Sequence, residues 1–232
     1  MLRQAPGATV ERVEIRDLAA VRELFGRLRP RVVIHTAYRQ DGEGAWETTV
    51  DGAENVARAA CEAGARLVHL STDVVFDGRK GAAYVEEDAT CPVTDYGRAK
   101  AEAEVRVRAA HPDTLVVRTS LIVGGPGFAP SKHEQVALDP ALTFYDNEIR
   151  SPIQVEDLAA ALLELAVLDV TGLLHVAGAD AVSRADLAEL VAGRPVRRAP
   201  APEGRPLDCS LDSSCACTQL RTELRGVRTV LA

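Results

Sequence analysis

The sequence has no run of eighteen apolar residues and no basic start followed by a short apolar core, so neither a membrane span nor a secretory signal is supported. It also lacks a strong concentration of positive charge. The formal net charge is -7 and the arginines are scattered, which argues against a nucleic-acid partner. Arg194, Arg197, Arg198 and Arg205 are the one local exception, and the prolines around them mark a solvated loop. The cysteines number five, an odd count without framework spacing, and Cys215 and Cys217 match neither a redox pair nor a zinc knuckle. All five read as structural residues of a reducing, cytoplasmic protein, and no metal site is expected. No Gly-x-Ser-x-Gly elbow is present, which disfavours a hydrolase built on Ser71 or Ser120. The most informative absence is a Gly-x-x-Gly-x-x-Gly turn between a strand and a helix, the usual grip on a dinucleotide pyrophosphate. Gly7 and Gly26 have the wrong spacing for it, and Gly124, Gly125 and Gly127 fall too late.

What is present reads as alternating strands and helices. With 232 residues, nearly half of them apolar, the chain can bury one domain or one and a half. Residues 10–16 alternate as a short strand. Asp17 then caps a helix with the stripe Leu18, Val21, Leu24, Phe25 and Leu28, which Pro30 stops. Residues 31–36 are a β-branched run fit for a central parallel strand, and residues 45–63 are helical with Gly64 just past the end. Further strands are expected at 115–120 and 173–176, helices at 155–168 and 183–191. The segment 205–214 reads as a strand leading to a last helix near 213–220. The expected fold class is α/β, a doubly wound parallel sheet.

Residues 65–78 carry the chemistry. The apolar run Leu67, Val68 and Leu70 ends in Ser71, Thr72 and Asp73, a buried strand delivering polar groups to the carboxyl edge of a sheet, where ligands of open α/β sheets bind. Tyr96 and Lys100 follow four residues apart at the start of a helical segment, on one face and one turn apart. A nearby ammonium lowers the pKa of a phenol, so Lys100 is expected to tune Tyr96. A Thr72 hydroxyl facing that phenol could hydrogen-bond a carbonyl oxygen as it gains a proton. His35 and His69 lie within apolar strands and read as core or cleft-wall residues rather than bases.

The run STDVVFDG followed by YGRAK resembles the extended short-chain dehydrogenase/reductases, and looks most like the dTDP-4-dehydrorhamnose reductases and their sugar-nucleotide reductase relatives. The resemblance implies Thr72, Tyr96 and Lys100 as a catalytic triad and NADP or NAD as cofactor. Glu14 and Ile15 match the pair that holds adenine, Ala37 lines the cofactor cleft, and Lys100 serves cofactor as well as catalysis. Asp73, Val74, Lys132, His133, Arg150 and Arg205 are the implied contacts to a sugar-nucleotide substrate. Val74 stands where a dehydratase has its Glu, which disfavours elimination. In rhamnose-type reductases an aromatic holds that place, and Val123 similarly replaces a Tyr, so the particular sugar stays open. Thr49 replaces a usual Asn and Cys209 a usual Ser.

On this resemblance residues 1–125 are a Rossmann-type domain missing its first β-α-β unit, with 151–178 packing back on it. Residues 126–150 and 179–232 form a small substrate lobe. Residues 10–16 are then expected to pair directly with 31–36 or to remain detached, and weak or no binding of NAD(P)H is expected. Loss of the phosphate turn also admits a binding role like that of the regulatory subunit of methionine adenosyltransferase. No nucleic-acid or membrane partner is expected, and a homodimer is left open.

Overall fold

The computed structural model describes residues 8–125 and 127–232, so Gly7 and the Pro126 of the glycine cluster lie outside the described residues. The alternating stretch 10–16 is not a strand. Side chains occupy its backbone groups instead: Asn55 Nδ2 donates to the carbonyls of Ile15 at 3.0 Å and Arg16 at 3.1 Å, and Glu14 accepts from the Arg16 amide. Val13 and Ile15 pack against an alanine-rich cluster below them, so the alternation marks a half-buried irregular segment. Asp17 accepts hydrogen bonds from the amides of Ala19 and Ala20 and opens helix α1, Leu18–Leu28. Strand β1, Val32–His35, follows. A π-helical turn, Glu47–Asp51, then runs directly into α2, Gly52–Glu62, where a Cβ on Gly52 would lie 2.8 Å from Ile15.

Strand β2, Arg66–Thr72, ends in a single 3₁₀ turn, Asp73–Val75. After α3, Asp95–Ala110, come β3, Leu115–Thr119, and the short β4, Ile122–Val123. The chain continues through α4, Lys132–Ala137, β5, Thr143–Tyr145, β6, Ile149–Arg150, and β7, Ile153–Gln154. Helix α5, Val155–Leu165, leads to β8, Gly172–His175. Then follow β9, Val182–Ser183, α6, Arg184–Ala192, β10, Arg197–Ala199, α7, Ser214–Gln219, and α8, Val227–Val230. Residues 205–214 make only isolated bridges, Ile149 with Asp208 and Tyr84 with Leu211, where a strand was expected.

The main sheet is parallel throughout, in the order β1-β2-β3-β8. Its two faces differ. Val68, Leu115, Val117 and Leu174 face Leu158, Ala161, Leu162 and Leu165 of α5 in a wholly apolar layer. The opposite face carries Leu67 against α2 and α3, but towards its carboxyl end it turns polar. There the buried Glu104 of α3 takes a hydrogen bond from Ser71 at 2.5 Å and forms an ion pair with Arg118 at 2.8 Å. That pair ties α3 to β2 and β3, since removing either partner would strand a buried charge. Smaller clusters, Ala137, Phe144, Ala185 and Ala188 in one and Val123, Val182, Leu187 and Val227 in another, hold α4, α6 and the two-stranded pairs β5-β10, β4-β7 and β6-β9.

Candidate active site

Two local features bring the first turn of α3 onto the end of β2. Thr94 caps the helix by accepting from the Gly97 amide at 3.0 Å. A Cβ at Gly97 would stand 2.2 Å from the carbonyl oxygen of Val74, so only glycine permits the approach. The Tyr96 phenol is consequently brought beside the Thr72 hydroxyl. Thr72 has one proton and two places to direct it, the phenol or the Asp73 carboxylate at 3.2 Å. Burial pushes the Tyr96 phenol above its ordinary value, the nearby Tyr38 and Asp73 push it further, and the adjacent Thr72 hydroxyl opposes them. The ring of Tyr38 tilts against that of Tyr96 with centroids 5.4 Å apart.

Lys100 lies one turn along α3, 3% exposed, with Nζ donating to the Leu70 carbonyl at 2.6 Å. Burial lowers its pKa to about 8, against the pull of Glu104. The expected tuning of Tyr96 by Lys100 is not what this arrangement displays: the phenol is shifted up, because its low-dielectric surroundings prevail and the ammonium is engaged by a strand carbonyl. His35 and His69 sit beneath this site as stacked rings 5.3 Å apart, the pKa of His35 lowered to about 4 and that of His69 well below its ordinary value by burial, with Lys100 acting in the same direction.

The residues expected to meet a substrate separate into two groups. Asp73 is turned inward: its Oδ2 accepts from Ser120 at 2.5 Å and stands 3.7 Å from Arg150, and burial raises its pKa. Arg150 is 2% exposed, with its donors spent on the carbonyls of Ile149, Leu207 and Pro206 and on Glu148. Arg150 is therefore a buried strut, not a lining residue, because both of its Nη groups are satisfied within the fold and its Nε faces Asp73. Val74 is half-buried in the 3₁₀ turn.

Arg205 stays on the outside of the same cluster. Its Nε donates to Glu148 at 2.7 Å and its guanidinium lies over the Tyr145 ring at 4.9 Å. Together with Arg184, Thr143, Phe144 and Leu142 it lines a cleft of about 160 Å³. Arg184 reaches His133 at 3.3 Å and Glu148 at 4.0 Å, and its Nη1 has no partner among the described residues. Three arginines thus share the single carboxylate Glu148, with Asp73 behind them, leaving an excess of positive charge. Burial, Arg184 and Lys132 lower the His133 pKa to about 4, so His133 meets this cluster as a neutral ring. Lys132 is exposed on α4. Arg184 and Glu148 were missed at the sequence level, although each lies beside a recognisable feature, Arg184 just after the cap Ser183 and Glu148 two residues before Arg150.

The residues expected at a dinucleotide fit it unevenly. Ala37, exposed just beyond β1, and Tyr96 and Lys100 suit the reacting end of a nicotinamide. Glu14 is exposed and ion-paired with Arg16 at 2.8 Å, and Ile15 is packed against Gly52. The amides at the start of α1, which would otherwise be open to an anion, are held by Asp17. Among the described residues no glycine-rich turn opens a helix, so the pyrophosphate end has no grip there. Among them, too, no three His, Cys, Asp or Glu side chains gather as a metal site, and no helix is long and apolar enough to cross a membrane. Four of the five cysteines are exposed, contrary to the reading of all as structural; Cys209 alone is buried, donating to the Phe76 carbonyl.

Residues 3–229 match the family model of the RmlD substrate binding domain. The chain belongs to this family. It is 39% identical over 168 residues to the dTDP-4-dehydrorhamnose reductase of Mycobacterium tuberculosis (strain ATCC 25618 / H37Rv), an alignment covering 66% of this chain. The chain spans 55% of the length of that relative. The dTDP-4-dehydrorhamnose reductase of Mycolicibacterium smegmatis is 35% identical, over 96% of this chain and 75% of the relative. A crystal structure of dTDP-4-dehydrorhamnose reductase from Bacillus anthracis str. Ames in complex with NADP superimposes with a TM-score of 0.83, covering 94% of this chain and 85% of that one, at 24% identity. The α/β fold with its parallel sheet is therefore that of the family, and nothing in these relatives points to a regulatory subunit.

Proposed function

We propose that this chain carries the proton-transfer and substrate-holding parts of an NAD(P)H-dependent reductase of a 4-keto sugar nucleotide. The observation that supports this reading most is the placement of the Thr72 hydroxyl and the Tyr96 phenol side by side at the carboxyl edge of the sheet, with Lys100 one turn away. The relatives are named for that reaction, and the Bacillus anthracis structure holds NADP. When bound, a reduced nicotinamide supplies the hydride to the carbonyl carbon. Thr72 then directs its proton to the carbonyl oxygen instead of Asp73, and Tyr96 gives that oxygen the proton it needs as negative charge develops. A phenol raised by burial is well suited to the acid role, because it stays protonated until the oxyanion forms. Lys100, once turned from the Leu70 carbonyl, carries the charge that stabilises the phenolate left behind. Arg184 and Arg205 receive the diphosphate, where a doubly charged group relieves the excess of guanidinium over carboxylate.

Oxidation of NADPH at millimolar concentration by dTDP-4-keto-6-deoxyglucose tests the reading. Turnover is expected, with a loss of about 100-fold or more in Tyr96→Phe, the scale of general acid catalysis. Absence of turnover, or turnover untouched in Tyr96→Phe, overturns it.

A further inference from the structure

A second cleft, of about 430 Å³, opens between the loop 39–47 and the first turn of α3, and Tyr96 forms part of its wall. Trp46 stands at its rim, 44% exposed, and is the chain's single tryptophan. This indole belongs to none of the apolar clusters that hold the described fold together, and nearly half of its surface stays open at the cleft. The loop around it is nevertheless firmly built. Thr49 Oγ1 receives the Arg39 amide at 3.1 Å and donates to the Arg39 carbonyl at 2.9 Å. The π-helical turn begins directly after Trp46, an irregularity often found beside functional sites.

The charges of this cleft differ from those of the arginine cluster. Arg39, Asp41, Glu47, Asp95 and Arg98 line it, two cations against three anions, and Arg98 is paired with Asp95 at 2.6 Å. No excess positive charge is available for a phosphate. An aromatic face surrounded by hydrogen-bonding groups of both kinds suits an uncharged polyol, whose C–H face covers the ring while its hydroxyls reach the polar side chains.

We propose that this cleft seats the sugar ring of the substrate, with Trp46 as its platform and as a specificity-determining residue. The proposal rests on the reductase reading and adds to it where the hexose lies. The diphosphate sits at Arg184 and Arg205, the ring on Trp46, and the Tyr96 phenol borders the ring's carbonyl.

Because the chain has one tryptophan, its emission reports this contact without turnover or cofactor. Titration with dTDP-glucose is expected to change Trp46 emission saturably, whereas dTDP alone binds by calorimetry and leaves the emission unchanged. Trp46→Ala is expected to weaken dTDP-glucose about tenfold, the scale of one aromatic contact, with dTDP affinity unaltered and with Trp46→Phe restoring most of the loss. Unchanged emission while calorimetry registers dTDP-glucose binding, equal emission changes with dTDP alone, or equal weakening of both ligands in Trp46→Ala overturns the proposal but leaves the reductase reading standing. Heat from neither ligand removes the substrate reading itself, and the sugar site with it.

Discussion

Ser120, one residue beyond β3, donates a 2.5 Å hydrogen bond to the carboxylate of Asp73, the residue that follows Thr72, the candidate hydrogen-bond donor to the carbonyl. The same Ser120 oxygen accepts the Ser151 amide at 3.2 Å. The tips of two strands and the approach to β7 are thereby held to one another behind the Thr72 hydroxyl.

Ser120→Ala is expected to destabilise the fold by about 1–3 kcal/mol, the usual consequence of leaving buried polar groups without a partner. It should also lower kcat, because Asp73 then competes more strongly for the Thr72 proton. Denaturant titration beside steady-state kinetics checks both. Unchanged stability and unchanged kcat together would show that the 2.5 Å contact carries no weight.

Arg184→Ala and Arg205→Ala are each expected to weaken dTDP binding by about 10- to 150-fold, the range of a hydrogen bond to a charged group at about 1.5–3 kcal/mol. Arg39→Ala should leave it unaltered, since that residue lines the other cleft. Calorimetry at two salt concentrations distinguishes the two sets, with the affinity lost in the arginine variants also being the salt-sensitive part.

NADPH is expected to bind the 232-residue chain weakly. Among the described residues the amides that open α1 are already satisfied by Asp17, and no glycine-rich turn provides others. Asp17→Ala should not restore affinity, because a Gly-rich approach is also needed to bring a pyrophosphate to the amides. A low-micromolar dissociation constant by fluorescence titration of protein of verified mass would refute this.

Acid should unfold the protein through its buried imidazoles. His35 is held neutral in the fold with a pKa of about 4, against 6.5 when unfolded. The unfolded chain therefore takes up the proton first. The stability due to the neutral ring is complete above pH 6.5 and is lost as pH falls towards 4, by about 3 kcal/mol in all. His69 and His133 are lowered too and act in the same direction. His35→Asn removes one titrating group, so its stability should fall less steeply between pH 6.5 and 4 when unfolding is followed by circular dichroism.

The candidate reacting residues were legible because their signals are local. An apolar run ending in Ser71, Thr72 and Asp73 marks a strand tip, and a four-residue spacing places Tyr96 and Lys100 on one helix face whatever surrounds them. The stretch 10–16 was misread for the converse reason: alternation marks half-burial, and becomes a strand only if a neighbour offers backbone partners, whereas Asn55 took them here. The bridges of residues 205–214 and the helix Val227–Val230 are too short to leave a periodic trace.

By itself the sequence determined the parallel α/β arrangement and singled out the candidate proton-transfer residues, since apolar periodicity and residue spacing are properties of the chain before it folds. Tertiary structure alone decided which charges line a cleft. Arg150 and Arg205 are both arginines of the same region, yet one has its donors consumed by carbonyls 57 and fewer residues away and the other remains open beside Arg184. It also decided that Lys100 rests on Leu70 and that Trp46 stands free at a cleft beside Tyr96. Such outcomes depend on the local dielectric and on competing partners brought together from distant positions, and no spacing along the chain encodes them.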